Sequence, residues 1–253
     1  MSSSHVRAET VDLDGQPVGV LTIDRPDKRN ALTPEMLAEL DQGARELGSA
    51  SHALLLRGEG TVFCAGFDLS LCVEAPDGAV MRELLTGLDR FIRTLRGLPI
   101  GVVASVQGAA LAGGCAVLGG CELVIAHPES KLGYPVVRIG VSPAVSAPTL
   151  MSRLSAGATR SRQLDPGLID ARRAHELGLV DVLSDDPERE ARAHVQAFAS
   201  KPPEAFARTK AWLNELTDAE SEMGLDAGAS LARSLDLTGG DEERAMLPRA
   251  LRR

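Results

Sequence analysis

Short, continuous runs of apolar residues recur through the first half of the chain. They are four to seven residues long, which is typical of strands buried on both faces, and lie at residues 18–23, 53–57, 100–106 and 123–126. Such runs are far shorter than a membrane span, and the first ten residues lack the hydrophobic core of a signal peptide. The pattern therefore predicts the strands of a protein without a membrane segment, and a cytoplasmic location by default.

Apolar residues at helical spacing occupy the stretches between these strands. Thr33 followed by Pro34 suits an N-cap and first helical position, so a helix is expected from there to about Leu47, with Gly48 as its stop. Residues 78–95 show a second helical periodicity. Strands that alternate with helices imply crossover connections and a sheet covered by helices, which is the α/β class.

The second half of the chain is dominated by helical patterns. After about residue 164 the strands nearly stop, and helices are expected at residues 171–177, 187–199, 203–215 and 219–235. The sequence thus predicts an α/β core over residues 1–190 and a helical C-terminal region over residues 191–253.

Composition narrows the possible functions. The net charge of −8 argues against a general nucleic-acid binder, because no basic excess exists to neutralise phosphates. Four cysteines show neither a CxxC pair nor zinc spacing, so they are interpreted as small apolar fillers and no metal is expected.

Five segments, taken in order, resemble the enoyl-CoA hydratase/isomerase (crotonase) superfamily. The segments are LTIDRPDKRNALT at 21–33, GTVFCAGFDLS at 60–70, VASVQGAALAGG at 103–114, LGYPVVRIGVSPAVSAPTL at 132–150 and LIDARRAHELGLVDVL at 168–183. The resemblance implies a crotonase-like ββα spiral core with a helical C-terminal trimerisation region. It also implies a homotrimer or dimer of trimers, a coenzyme A thioester as substrate or ligand, and no permanently bound cofactor.

The two glycine-bearing loops suit the stabilisation of a thioester enolate. An oxyanion needs preorganised N–H donors, and removing one such donor typically costs about 3 to 4 kcal/mol of barrier. Gly66 lets the backbone approach a ligand closely. The resemblance places the two donors of this oxyanion hole at the backbone amides of Phe67 and Gly113, the second where a central helix opens.

The same resemblance supplies the residues expected to hold coenzyme A. Lys28, Arg29 and the backbone near Ala31 match the turn that contacts the pyrophosphate and adenine. Ala65, Asp68 and Leu69 match the lining of the coenzyme A channel, where Asp68 is expected to tie the loop together by accepting backbone hydrogen bonds.

The two glutamates that hydrate a double bond in the family are missing. Counting from Gly113, their positions hold Ala116 and Val136, neither of which can carry a proton. The string GGCEL at 119–123 resembles the catalytic motif of the family, but the register set by residues 106–108 makes Glu122 structural. A displaced acid at Glu122 stays open as an alternative.

Three functions follow from this pattern. The first is an acyl-CoA lyase or isomerase that works through an enolate stabilised by the oxyanion hole, for example by loss of carbon dioxide from a malonyl-type thioester. The second is a catalytically silent acyl-CoA-binding homologue, and the third is a hydratase that uses Glu122. Five other polar residues are expected near the pocket and are interpreted singly as packing or pairing residues: Cys115, Tyr134, Arg138, Ser142 and Ser146.

Overall fold

The structure is a computed structural model that describes residues 4–75, 77–220, 227–236 and 238–250. Its strands are β1 Val6–Leu13, β2 Gln16–Ile23, β3 Ala53–Gly58, β4 Gly101–Val106, β5 Ala109–Leu111, β6 Leu123–Ala126, β7 Lys131–Gly133, β8 Ile169–Asp170 and β9 Val182–Leu183.

Helices connect and cover these strands. They are α1 Pro34–Ala50, α2 Leu69–Glu74, α3 Ala79–Gly97, α4 Gly113–Val117, α5 Ala147–Met151, α6 Ala156–Leu164, α7 Ala171–Leu177, α8 Pro187–Ala199, α9 Pro203–Glu220, α10 Ala227–Leu235 and α11 Asp241–Ala250. Short 3₁₀ turns lie at Pro26–Lys28, Leu118–Gly120, Val137–Ile139 and Pro143–Ser146.

The strands form two sheets. The larger sheet has the order β1-β2-β3-β4-β6-β9, in which β1 runs antiparallel to β2 and the other neighbours are parallel. The smaller sheet has the order β5-β7-β8. Parallel neighbours in the larger sheet require the crossover connections that the alternation of strands and helices predicted.

Both faces of the central strands are buried, which explains their continuous apolar runs. In β3, Leu54 and Leu56 join the main core with α1 and α3, whereas Ala53 and Leu55 face a smaller cluster that includes Val195 of α8. Helix α8 therefore covers the far face of the sheet, and the boundary expected at residue 190 falls inside it.

Several details differ from the sequence predictions. Strand β1 was not predicted, because its pattern is polar and mostly solvent-exposed. Helix α1 does not stop at Gly48 but continues to Ala50; a Cβ at Gly48 would lie 2.5 Å from Leu98 Cδ2, so this glycine allows close packing.

The helices after residue 200 also have different bounds. Helix α9 continues to Glu220, so the helix expected at residues 219–235 begins inside it; residues 221–226 of that prediction lie outside the described residues. Helix α10 packs against the Pro143–Ser146 turn and α3, and α11 packs against the Val137–Ile139 turn and α2. Among the described helices, none has both the length and the apolar composition needed to cross a bilayer.

Candidate active site

A cavity of about 670 Å³ opens between the loop before α2, helix α3, the start of α4 and the residues after β7. Leu85 and Leu88 of α3 form part of its apolar wall. Helix α11 contributes Met246 and Arg249. In the part of the chain that the structure describes, no aspartate or glutamate lines this cavity. It is therefore an apolar site with cationic groups and without a carboxylate.

The loop that carries Phe67 is fixed by hydrogen bonds on one side. Leu32 N donates to Gly66 O over 2.8 Å, and Asp68 N donates to Leu32 O over 2.9 Å. Because successive amides of an extended chain point to opposite sides, the N–H of Phe67 points away from Leu32. Among the described residues this amide has no acceptor, and Phe67 lines the cavity.

Gly113 lies directly beside this loop. Its amide also has no acceptor within the described ranges, although the preceding amide, of Ala112, donates to Gly133 O over 2.9 Å. A Cβ at Gly66 would lie 3.7 Å from Gly113 N, and a Cβ at Gly113 would lie 2.9 Å from Phe67 Cε1. The two amides expected to form the oxyanion hole are thus both unpaired and both at one cavity wall.

The backbone before Gly113 is strained. Ala112 has φ 49° and ψ −116°, a region that side chains other than glycine rarely adopt. Helix α4, expected as a central helix, has only five residues before it tightens into the Leu118–Gly120 turn. Such a short helix has only a weak dipole. An anion at this site would therefore interact mainly with the free N–H of Gly113.

The expected coenzyme A residues divide into two groups. Ala65 and Leu69 line the cavity. Lys28 and Arg29 are exposed and Ala31 is half-buried, and all three lie outside the cavity lining. Their turn is nevertheless attached to the loop, because Ala65 N donates to Arg29 O over 3.0 Å. This hydrogen bond places the basic turn next to Ala65, a lining residue of the cavity.

Asp68 lies outside the cavity lining, but its carboxylate makes the backbone hydrogen bond expected of it. Its carboxylate accepts the Ser70 amide at the start of α2 and forms an ion pair with Arg25 over 2.8 Å. Burial by itself would raise the pKa of Asp68, but the hydrogen bonds from Ser70 and Arg25 and the charge of Arg25 hold that pKa below its ordinary value. The loop is therefore held by an ionised carboxylate.

Buried Asn30 was missed by the sequence analysis. It occupies the left-handed region at φ 57°, and its side chain donates to Glu59 O and Val62 O. Asparagine tolerates this conformation better than most residues, so an asparagine at the end of the RPDKRN string could have indicated a left-handed turn residue.

The two positions that the resemblance assigns to the family glutamates both line the cavity. Ala116 of α4 and Val136, just after β7, both belong to its lining. Glu122 does not: its carboxylate accepts the Val102 amide over 2.8 Å and pairs with Lys210 Nζ over 3.0 Å. Burial raises the pKa of Glu122 and lowers the pKa of Lys210, and their attraction opposes both changes. The position of Glu122 gives no support to a displaced acid there.

The other polar candidates are mostly at the cavity. Tyr134, Arg138, Ser142 and Ser146 line it, whereas Cys115 lies buried behind the wall. The helical periodicity of residues 78–95 predicted the helix whose residues form part of this wall. No pattern in the sequence predicted that Met246 and Arg249 would line the cavity, because their contact with the site depends on how α11 folds back.

Comparisons with known proteins agree with this architecture. A sequence model of the enoyl-CoA hydratase/isomerase family matches residues 14–238. The chain is 31% identical to ethylmalonyl-CoA decarboxylase of Bos taurus over 216 residues, 79% of this chain and 69% of that protein. It is 28% identical to an enoyl-CoA isomerase/hydratase of Mycosarcoma maydis over 252 residues, 94% and 88% of the two chains. A crystal structure of an enoyl-CoA hydratase/isomerase from Xanthobacter autotrophicus Py2 matches with a TM-score of 0.88 at 26% identity, covering 98% of this chain and 93% of that one.

Proposed function

Because the chain belongs to the enoyl-CoA hydratase/isomerase family and has its crotonase fold, we propose that it is an acyl-CoA lyase that acts through an enolate. The reaction is loss of carbon dioxide from a thioester with a carboxylate on C2. One observation carries the proposal: two unpaired amides, of Phe67 and Gly113, lie at a cavity whose described lining holds no carboxylate.

The chemistry follows from what the cavity contains. Hydration needs one group to activate water and another to deliver a proton, and Ala116 and Val136 can do neither. Decarboxylation needs no base, because the electrons of the breaking C–C bond flow into the thioester and form the enolate. The Phe67 and Gly113 amides would hold the enolate oxygen, and the apolar surface of Ala116 and Val136 would desolvate the departing carboxylate.

The substrate is an acyl thioester of coenzyme A, and no permanently bound cofactor enters the proposal. The acyl group fills the cavity, and the nucleotide end follows the wall past Ala65 to the turn at Lys28 and Arg29. Similarity to ethylmalonyl-CoA decarboxylase supports the choice of a 2-carboxyacyl group. Ethylmalonyl-CoA is therefore the first compound to test.

The experiment measures carbon dioxide release from ethylmalonyl-CoA and hydration of crotonyl-CoA in parallel. We expect release from the first compound and no reaction with the second. Calorimetry with acetoacetyl-CoA, whose enolate mimics the intermediate, reports binding separately from turnover. Hydration of crotonyl-CoA without any release of carbon dioxide would show the proposal to be wrong.

A silent acyl-CoA-binding protein is the second candidate, and the same empty acid positions favour it. This candidate predicts tight binding of acetoacetyl-CoA and no turnover of either compound. Restoring the acids by Ala116→Glu and Val136→Glu together should then create measurable hydration of crotonyl-CoA. A double variant that binds crotonyl-CoA yet stays inert would contradict an intact oxyanion hole.

Self-association into a trimer or dimer of trimers is part of the proposal. Helix α9 exposes Trp212, Leu213 and Leu216, with 59%, 52% and 44% of their surfaces accessible, and such an apolar face suits contact with another subunit. Sedimentation equilibrium tests it, and a monomer at micromolar concentration would contradict it.

The four unpaired cysteines support the expected cytoplasmic location.

A further inference from the structure

Tyr134 is close to both positions that the resemblance assigns to the family acids: it precedes Val136 by two residues, and its hydroxyl contacts the residue before Ala116. It directly follows β7, whose residue Gly133 pairs in parallel with Leu111 of β5. One residue further along both chains, Tyr134 lies next to Ala112, and the amide of Gly113 follows. The Tyr134 side chain is buried, lines the cavity and donates to Cys115 O, next to Ala116, over 3.4 Å.

The hydroxyl of Tyr134 makes a long hydrogen bond to the backbone. A distance of 3.4 Å is long for an O–H···O hydrogen bond, so rotation about the C–O bond can redirect the proton to a closer acceptor while the buried ring stays in place. Ser146 differs, since its hydroxyl donates to Pro143 O over 2.8 Å and also accepts from Gln163. The guanidinium groups of the cavity lining do not give up a proton at neutral pH.

Resting on the proposed function, we infer that Tyr134 is the general acid that protonates C2 of the enolate. The bond from C2 to the carboxylate breaks, carbon dioxide leaves, and the electron pair forms the enolate held by the Phe67 and Gly113 amides. The proton of Tyr134 Oη then moves to C2, a C–H bond forms and the thioester carbonyl returns. The tyrosinate regains a proton from solvent, so the net reaction consumes one proton and releases one carbon dioxide.

The surroundings of Tyr134 suit an acid and not a base. Burial, with the neighbouring Cys115 as a smaller cause, raises the pKa of Tyr134 well above its ordinary value. The phenol is therefore protonated at neutral pH and cannot remove a proton from a substrate. It can still give its proton to an enolate carbon, which is far more basic. A site with only an acid suits a reaction that makes its own carbanion.

The stereochemistry of protonation gives the test. In D₂O, ethylmalonyl-CoA yields butyryl-CoA with one deuterium on C2, and a fixed acid delivers it to one face only. We expect one enantiomer from the unsubstituted protein and a racemic product from Tyr134→Phe, which keeps the ring and its packing. Ser146→Ala, which removes another hydroxyl of the same cavity, should keep the single enantiomer.

A second measurement covers the case in which Tyr134→Phe does not fold. Tyr134 is the only tyrosine of the chain, so growth on 3-fluorotyrosine labels this one site. The ¹⁹F resonance should shift when acetoacetyl-CoA binds. Fluorination also makes the phenol more acidic, so the pH at which product stereochemistry is lost should move down.

The outcomes separate this inference from the proposed function. If no carbon dioxide is released, the lyase proposal fails and the role of Tyr134 falls with it. Release with a racemic product from the unsubstituted protein would overturn the role of Tyr134 alone. A single enantiomer from Tyr134→Phe would also overturn the role of Tyr134. So would a ¹⁹F resonance that does not shift at saturating acetoacetyl-CoA.

Discussion

The ammonium group of Lys210 lies 3.0 Å from the carboxylate of Glu122 and also donates to Leu95 O and Ile100 O. Helix α9 is thereby attached to the last turn of α3, to the residue before β4 and to the residue before β6. The pair explains why a glutamate stands in the GGCEL string: it neutralises a buried lysine 88 residues further along the chain.

We predict that Glu122→Gln lowers the free energy of unfolding and leaves the site intact. Lys210 would stay buried without its counter-charge, which costs about 3 kcal/mol for pairs of this kind. Chemical denaturation measures the loss, and calorimetry should show unchanged affinity for acetoacetyl-CoA. The double variant Glu122→Gln, Lys210→Met should recover part of the stability. Normal stability with loss of turnover would instead place Glu122 in the chemistry.

Gly66→Ala should damage the oxyanion hole selectively. Gly66 has φ 94°, and a Cβ there would lie 3.0 Å from Leu111 O, so the loop must shift and move the Phe67 amide. Loss of one such donor lowers turnover by about 10²- to 10³-fold.

Gly15→Ala is the matched control for that variant. Gly15 has φ 80° in the β1–β2 turn, and a Cβ there would meet nothing within 4 Å. Both variants should lose about 1 kcal/mol of stability, because both carry a side chain in the left-handed region, and Gly66→Ala should lose more because its Cβ also displaces the loop. Steady-state kinetics should show a defect in Gly66→Ala only. Equal defects in the two variants would count against a role for the Phe67 amide.

The ion pair of Asp68 with Arg25 should make stability depend on acid pH. The pKa of Asp68 in the folded chain is below the ordinary value of 3.8, so its stabilising contribution is complete above that value. It is lost as the pH falls through the folded-state pKa. The free energy of unfolding should therefore drop more steeply below about pH 4 in the unsubstituted protein than in Asp68→Asn. Parallel curves for the two proteins would contradict the pair.

All four thiols should be unreactive in the native protein. Desolvation raises the pKa of Cys64, Cys72 and Cys121 to about 12, and that of Cys115 to about 11. At pH 8 the thiolate, which is the reactive species, is almost absent. Mass spectrometry after iodoacetamide should show no labelling until denaturant is added, and then four adducts. Rapid labelling of any one thiol without denaturant would contradict its burial.

The sequence predicted the central strands because both faces of the larger sheet are covered, so β3 and β4 are apolar except for Arg57 and Ser105. It did not predict β1, an edge strand that meets solvent and shows no such run. Gly48 was wrongly predicted to end α1. Its lack of a side chain instead makes room for Leu98, fifty positions away in the sequence. The two loops of the site could be found from their glycines and the order of the segments.

What the sequence could not supply were the pairings made by the tertiary fold. Nothing local connects Glu122 to Lys210, or Tyr134 to the Ala112–Gly113 peptide. The register of β5 with β7 makes the second connection, and strands of three residues carry too weak a pattern to predict it.

Helix α11 contributes Met246 and Arg249 to the cavity wall, while the loops of Phe67 and Gly113 lie in the α/β part of the chain. Under the proposed function, the amides that would hold the thioester oxygen and these two side chains belong to separate stretches of sequence. Substitutions at Met246 or Arg249 would then change the shape of the cavity without altering the loops of Phe67 and Gly113. Preference for one acyl group over another could thus diverge among relatives that keep the same two loops.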